Sequence, residues 1–206
     1  MIQNTSILYP RKGPIQDYLS QAMQHHQNGV LIKAEKYYNR VLMIDPNHVD
    51  ALHLSGIAAH QSGRTFRAVK LIRKAIANDQ NQTVFHNNLA IIYINIRHWS
   101  EAEAASRMSL AISPNDGEAW GILGEALAGL GNFSDAVDAF KRAIILKPGN
   151  ALLYCNLASL LVALGQFKEA EEKCCSALNL EPNLAKALHG LGMAKSAGGK
   201  LDEAAE

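Results

Sequence analysis

The chain of 206 residues predicts an all-α solenoid of helix–turn–helix repeats, and three observations predict it. Alanine recurs at Ala34, Ala68, Ala102, Ala136, Ala170 and Ala204, every 34 residues without an insertion or deletion. Sixteen residues before each alanine stand Tyr18, Leu52, His86, Trp120, Tyr154 and Leu188, mostly large side chains. Eleven residues after each of these comes a turn glycine, at Gly29, Gly63, Gly131, Gly165 and Gly199, with Arg97 as the exception.

The period divides the chain into an N-terminal extension at 1–14, five whole units at 15–48, 49–82, 83–116, 117–150 and 151–184, and a partial sixth at 185–206. The first helix of a unit carries apolar residues at helical spacing, as in Leu157, Leu160, Leu161 and Leu164. The second does the same with Phe133, Val137, Phe140 and Ile144. Between them, glycine supplies the left-handed turn that other residues reach only at a cost. Arg97, if it holds that conformation, costs on the order of 1 kcal/mol. Close helix crossing tolerates only small side chains. The periodic alanines are therefore expected to face Ala22, Gly56, Ala90, Gly124, Ala158 and Gly192 of the first helices. Units end at Asp45-Pro46, Ser113-Pro114, Lys147-Pro148 and Glu181-Pro182, because the residue before proline leaves the helical region. Gln80 replaces that proline in the second unit, so this junction is expected to be less sharply set.

The run Trp120, Leu123, Gly124, Ala136, Phe140, Ala143 and Pro148 resembles the tetratricopeptide repeat. The resemblance extends over about residues 15 to 206. It implies a right-handed superhelix, with first helices lining a concave groove and second helices on the convex side. It also implies a role in binding rather than catalysis, since one fold of this kind serves many partners.

Composition agrees with a soluble globular chain: 48% hydrophobic residues, 19% charged and a formal charge of +1. No apolar stretch approaches the roughly 20 residues that span a bilayer, and Met1 to Lys12 lacks the apolar core of a secretion signal. Cys155, Cys174 and Cys175 form no metal-ligand pattern and read as reduced thiols. The chain is expected in the cytoplasm, in a bacterium, without membrane insertion, nucleic acid or cofactor.

Charge is segregated. Residues 1–100 hold 11 Lys/Arg against 5 Asp/Glu, and residues 101–206 hold 9 against 14. The excess of bases lies on two second helices, as Lys33, Lys36 and Arg40, then Arg64, Arg67, Lys70, Arg73 and Lys74. Spacings of three and four put much of each set on one face, outside the groove. The plain reading is a solvated convex face; the functional one is a patch for an acidic partner or for another copy.

For the groove, the family resemblance implies first-helix positions facing away from the second helix: His53, Asn87, Cys155 and His189, with Asn88 and Asn156 one place later. His26 and His60 extend the row, and Glu125 adds a charge. Asparagine donates and accepts, so it can hold the backbone of an extended peptide. Such a row resembles that of the O-linked N-acetylglucosamine transferases, but Ser20, Leu54, Ile122 and Gly190 interrupt it. Chaperone adaptors of the family grip a terminal carboxylate with groove cations. Here the main cation is Lys186, so a chaperone-tail adaptor is not expected.

Eight histidines invite a metal reading. His53 and His60, seven residues apart, lie about 10 Å along the axis, too far to share one ion readily. No Cys, Asp or Glu completes a set at regular spacing. His86 occupies the large packing position and reads as a core-edge residue. No nucleophile–base–orienter set is visible, and no enzyme is expected.

Leu201 to Glu206 opens a helix and stops, which reads as a fragment, or as a last unit that pairs with something else. The first repeats, Ala34-Glu35-Lys36-Tyr37-Tyr38 and onward, resemble in style those of bacterial multidomain transferases. The expected function is a protein–protein interaction module binding a partner segment in its groove. The alternatives are the substrate-presenting region of a larger glycosyltransferase, sulfotransferase or methyltransferase, and a self-associating scaffold.

Overall fold

A computed structural model describes residues 13–199. Its described residues form eleven α-helices and no strand: α1 Pro14–Gln27, α2 Leu31–Ile44, α3 Val49–Gln61, α4 Thr65–Asn78, α5 Thr83–Asn95, α6 Trp99–Ile112, α7 Gly117–Gly129, α8 Phe133–Leu146, α9 Ala151–Ala163, α10 Phe167–Leu180 and α11 Ala185–Ala197. The class is all-α helical repeat, and odd- and even-numbered helices pair as successive antiparallel hairpins. Ala204 and the helix opened by Leu201 lie outside the described residues, as does most of the extension at 1–14.

The turn inside each hairpin follows from one backbone rule. Gly29, Gly63, Gly131, Gly165 and Gly199 have φ between 71° and 80°, and Arg97 holds φ 59°. After every one of these but Gly199, whose successor lies outside the described residues, the next amide reaches back to the helix end. Arg64 N donates to Ala59 O at 2.8 Å, His98 N to Tyr93 O at 2.9 Å, and Asn132 N to Leu127 O at 2.9 Å. This six-to-one bond satisfies carbonyls that the helix terminus leaves open.

The junction at Gln80 is as sharply set as the others, against the expectation from its missing proline. Asp79 is extended at φ −145° and ψ 104°, like Asp45 and Ser113. Its carboxylate accepts from Asn81 N at 3.1 Å, as that of Asp45 accepts from Asn47 N at 3.0 Å. This side-chain turn ends the helix without proline.

The chain divides into two compact units, 1–81 and 82–206. In the first, Leu19, Ala22, Ala34, Tyr38, Val41, Ala51 and Ala58 form a buried cluster. In the second, Leu123, Leu127, Phe140, Leu153, Leu157 and Leu161 do so, with Ala136 and Ala170 fully buried among them. Small does not always meet small. A Cβ on Gly124 would come within 3.0 Å of the Phe140 ring, and one on Gly56 within 2.6 Å of Ile72 Cγ1. Glycine here makes room for the large residue one turn after the alanine. The partner of Gly192 falls outside the described residues.

Candidate functional site

The first helices of the second unit lie side by side, α5 beside α7, α7 beside α9 and α9 beside α11. Between α7, α9 and α11 runs a cleft of about 260 Å³. Ala128, Leu160, Ala163 and the edge of Phe140 give it apolar walls, and Glu125, Asn156, Ser159 and Lys186 give it polar ones. Lys186 Nζ donates to Asn156 Oδ1 at 2.6 Å across the two helices. Asn156 thus spends its carbonyl on the ammonium and keeps its two N–H donors for other acceptors. Ser159 is exposed and spends its hydroxyl proton on its own helix, donating to Cys155 O at 2.9 Å. Glu125 is exposed and has no ion pair or hydrogen bond among the described residues. The cleft therefore offers a cation, an amide donor and an open carboxylate along an apolar strip. That set can hold an extended peptide carrying charges of both signs.

The other groove positions divide by one residue of register. His53, Asn87 and Cys155 are 8%, 5% and 2% exposed and do not present a binding surface. For Asn87 and Cys155 the reason is contact with the neighbouring hairpin. Asn87 Nδ2 donates to Asp116 Oδ2 at 3.0 Å, while Asp116 Oδ1 caps α7 through Glu118 N and Ala119 N at 2.9 and 3.3 Å. Cys155 packs with Ala151, Ala177 and Ala187 in a small buried cluster, and burial pushes its thiol pKa up. Desolvation pushes His53 down from 6.5 to about 4, against a smaller opposing pull from Asp50. One place later, Asn88 and Asn156 are half-buried. His189 is exposed on α11.

In the first unit His26 is structural as well as accessible. Its Nδ1 bonds the Tyr38 hydroxyl at 3.1 Å and its Nε2 bonds Gln61 Oε1 at 2.9 Å, joining α1, α2 and α3. His60 sits half-buried in the last turn of α3.

The basic set also divides. Arg64 pairs with Glu35, which is 4% exposed. Arg67 Nη2 donates to Asn39 Oδ1 at 3.2 Å, and Lys74 Nζ donates to Pro46 O at 2.6 Å. Arg40 lies over the rings of Tyr18 and Tyr37 at 5.3 and 5.0 Å. These four hold repeat to repeat or helix to helix. Lys33, Lys36, Lys70 and Arg73 remain exposed on α2 and α4, without a partner among the described residues.

Sequence reasoning named Asn156 and Glu125 but not the pairing of Asn156 with Lys186, a contact across 30 residues. It also passed over a second trench, between α6, α7 and α8, of about 390 Å³. Among the described residues no three His, Cys, Asp or Glu side chains are placed to hold a metal ion. No described helix is long and apolar enough to cross a membrane.

Two tetratricopeptide repeat family models match the chain, over residues 87–151 and 139–172. No curated protein sequence matches it significantly. Among solved structures, PilF of Pseudomonas aeruginosa is similar with a TM-score of 0.80 at 18% identity, covering 93% of this chain and 87% of its own. MamA of Desulfovibrio magneticus RS-1, residues 41 to the end, gives 0.76 at 21% identity, covering 84% and 98%. YrrB, described as a TPR protein with an unusual peptide-binding site, gives 0.69 at 20% identity, covering 84% and 89%. At these identities the likeness carries the fold. Together with the 34-residue period and the repeated left-handed turn it shows the tetratricopeptide repeat fold, and the two models identify residues 87–172 as tetratricopeptide repeats.

Proposed function

We propose that the chain is a protein-interaction scaffold that holds an extended peptide segment in the cleft between α7, α9 and α11, without catalysis of its own. The observation that carries this reading is the Lys186–Asn156 pair on the same apolar strip as the unpartnered Glu125. The backbone of this surface is already ordered in helices, so binding costs it little backbone entropy. Lys186 would take a carboxylate of the partner, Glu125 a lysine or arginine, and the Asn156 amide a backbone carbonyl. The peptide-binding site named for YrrB supports the class of ligand. Three unpaired thiols suit a reducing, cytoplasmic compartment.

The test uses peptides selected from a random phage-displayed library on the whole chain, then synthesised with a fluorophore. Binding is read by anisotropy for the wild type and for Lys186→Ala, Asn156→Ala and Glu125→Lys. All three residues are exposed or half-buried, so helical content and Tm should hold. Each change should weaken binding about tenfold or more, roughly 1.4 kcal/mol, the size of a charge-assisted bond. Selected peptides that bind all three variants like the wild type would place recognition elsewhere.

A further inference from the structure

The most exposed large apolar side chains among the described residues include Phe66 at 90% and Ile32 at 84%, and they occupy equivalent places on α4 and α2, 34 residues apart. A single exposed apolar residue needs no explanation. Two at one repeat position do, and for Phe66 the register explains the exposure, while Ile32 simply follows the half-buried Leu31. In later repeats the large residue opening the second helix is Trp99, Phe133 or Phe167, each half-buried or nearly so. In the second repeat that place is Thr65 and the ring stands one residue later. One residue is about 100° around a helix, enough to turn a side chain from the hairpin to solvent.

Cations share this face. Lys36 and Lys70 stand one turn after Ile32 and Phe66, at the same repeat position, and Lys33 and Arg73 flank them. All four are exposed and unpartnered among the described residues. The two helices are held together, because Arg67 bonds Asn39 and Arg64 pairs with buried Glu35. They therefore present one surface of two apolar knobs with cations beside them.

The trench between α6, α7 and α8 is its counterpart. Trp120, Leu123, Leu127 and Ala139 floor it. Asp135 and Asp138 stand on its rim, exposed or half-buried and without partners among the described residues. Of the two arginines that also line it, Arg107 is neutralised by Glu103 at 2.7 Å, and Arg142 donates to Asn115 Oδ1 at 3.2 Å. Asp138 occupies the repeat position that Lys70 holds in the second repeat.

We infer that the α2–α4 face of one copy docks in the α6–α8 trench of a second copy, Phe66 entering the trench and Lys70 and Arg73 meeting Asp135 and Asp138. The contact is heterologous, since every copy carries both a knob and a trench. Such contacts extend into a row of copies unless the rotation closes a ring. The charged flanks make association weaken as salt rises.

Sedimentation velocity of the whole chain over a range of concentrations tests this. The wild type should form species larger than dimers at low salt, and these should dissociate at high salt. Phe66→Ser should raise the dissociation constant at least tenfold, and so should either charge reversal alone, Lys70→Glu with Arg73→Glu or Asp135→Lys with Asp138→Lys. Mixing the two charge-reversed chains should restore association, because each then offers the sign the other lacks. All the substituted side chains are at the surface, and far-ultraviolet circular dichroism checks that each variant is folded. A wild type that stays monomeric at every concentration overturns the inference. So does association that the substitutions leave untouched, or reversed chains that fail to associate when mixed. A monomer that binds phosphatidylserine vesicles through Phe66 would assign the same face to a lipid surface and would equally overturn it.

Discussion

Arg97 holds at φ 59° the place that glycine holds in the other described turns, and it forms the same reach-back bond, His98 N to Tyr93 O. The hairpin geometry thus overrides the local preference of the residue. A side chain with a Cβ at positive φ stores on the order of 1 kcal/mol. Replacing Arg97 by glycine should release it and raise Tm by about 2–4 °C, the shift expected for a chain of this size. An unchanged or lower Tm by calorimetry would show that the arginine is unstrained. His53 belongs to the same scale. Burial lowers its pKa from 6.5 to about 4, so the folded chain binds its proton less readily than the unfolded chain. Its contribution to stability is complete above pH 6.5 and is lost as pH falls through the window down to about 4. The urea midpoint of the wild type should therefore drop between the two ends of that window by more than that of His53→Gln. Equal drops would contradict a neutral buried imidazole.

Among elements, the helices pack through a trade of volume rather than through small residues alone. Gly124 on α7 accepts the Phe140 ring of α8, and Gly129 on the same helix accepts the indole of Trp99 from α6. Ala22 and Ala90, at the place that glycine holds in Gly56 and Gly124, are fully buried. Gly124→Leu would drive four heavy atoms toward a ring whose nearest atoms already lie 3.0 Å from the position of a Cβ. It should cost about 1–3 kcal/mol and lower Tm, and an unchanged melting curve would contradict this packing of α7 on α8. Side chains also bind one loop to the next. Trp120 Nε1 donates to Pro114 O at 2.8 Å and the Tyr154 hydroxyl to Pro148 O at 3.1 Å, a bond six residues back in both repeats. These bonds give the large residue at the fourth place of a unit a second role, holding the preceding loop.

For the whole molecule, what was legible follows from what is local. The period, the turn residues and the helix stops depend on a few neighbouring dihedrals, and a sequence displays them directly. The 34-residue alanine ladder decided the all-α repeat class, and the glycine ladder located the left-handed turns, including the one that Arg97 fills. Gln80 misled because the Asp79 carboxylate does the work that proline does elsewhere. The binding surface was legible only in part. A fixed period names equivalent positions, but which of them faces solvent depends on the angle between successive hairpins, and no local rule supplies that angle. Hence His53, Asn87 and Cys155 are packed away while their neighbours Asn88 and Asn156 are half-open. Phe140 at 2% exposure and Phe66 at 90% differ for a local reason, since Phe66 stands one residue past the place that opens the second helix and Phe140 one turn after the periodic alanine. The angle between hairpins brings Lys186 of the sixth repeat to Asn156 of the fifth. The sequence by itself determined the repeat, its turns and its packing residues, because these are set within a hairpin. Only the tertiary structure decided which side chains line the cleft and which face solvent, because burial is set by the neighbouring hairpin.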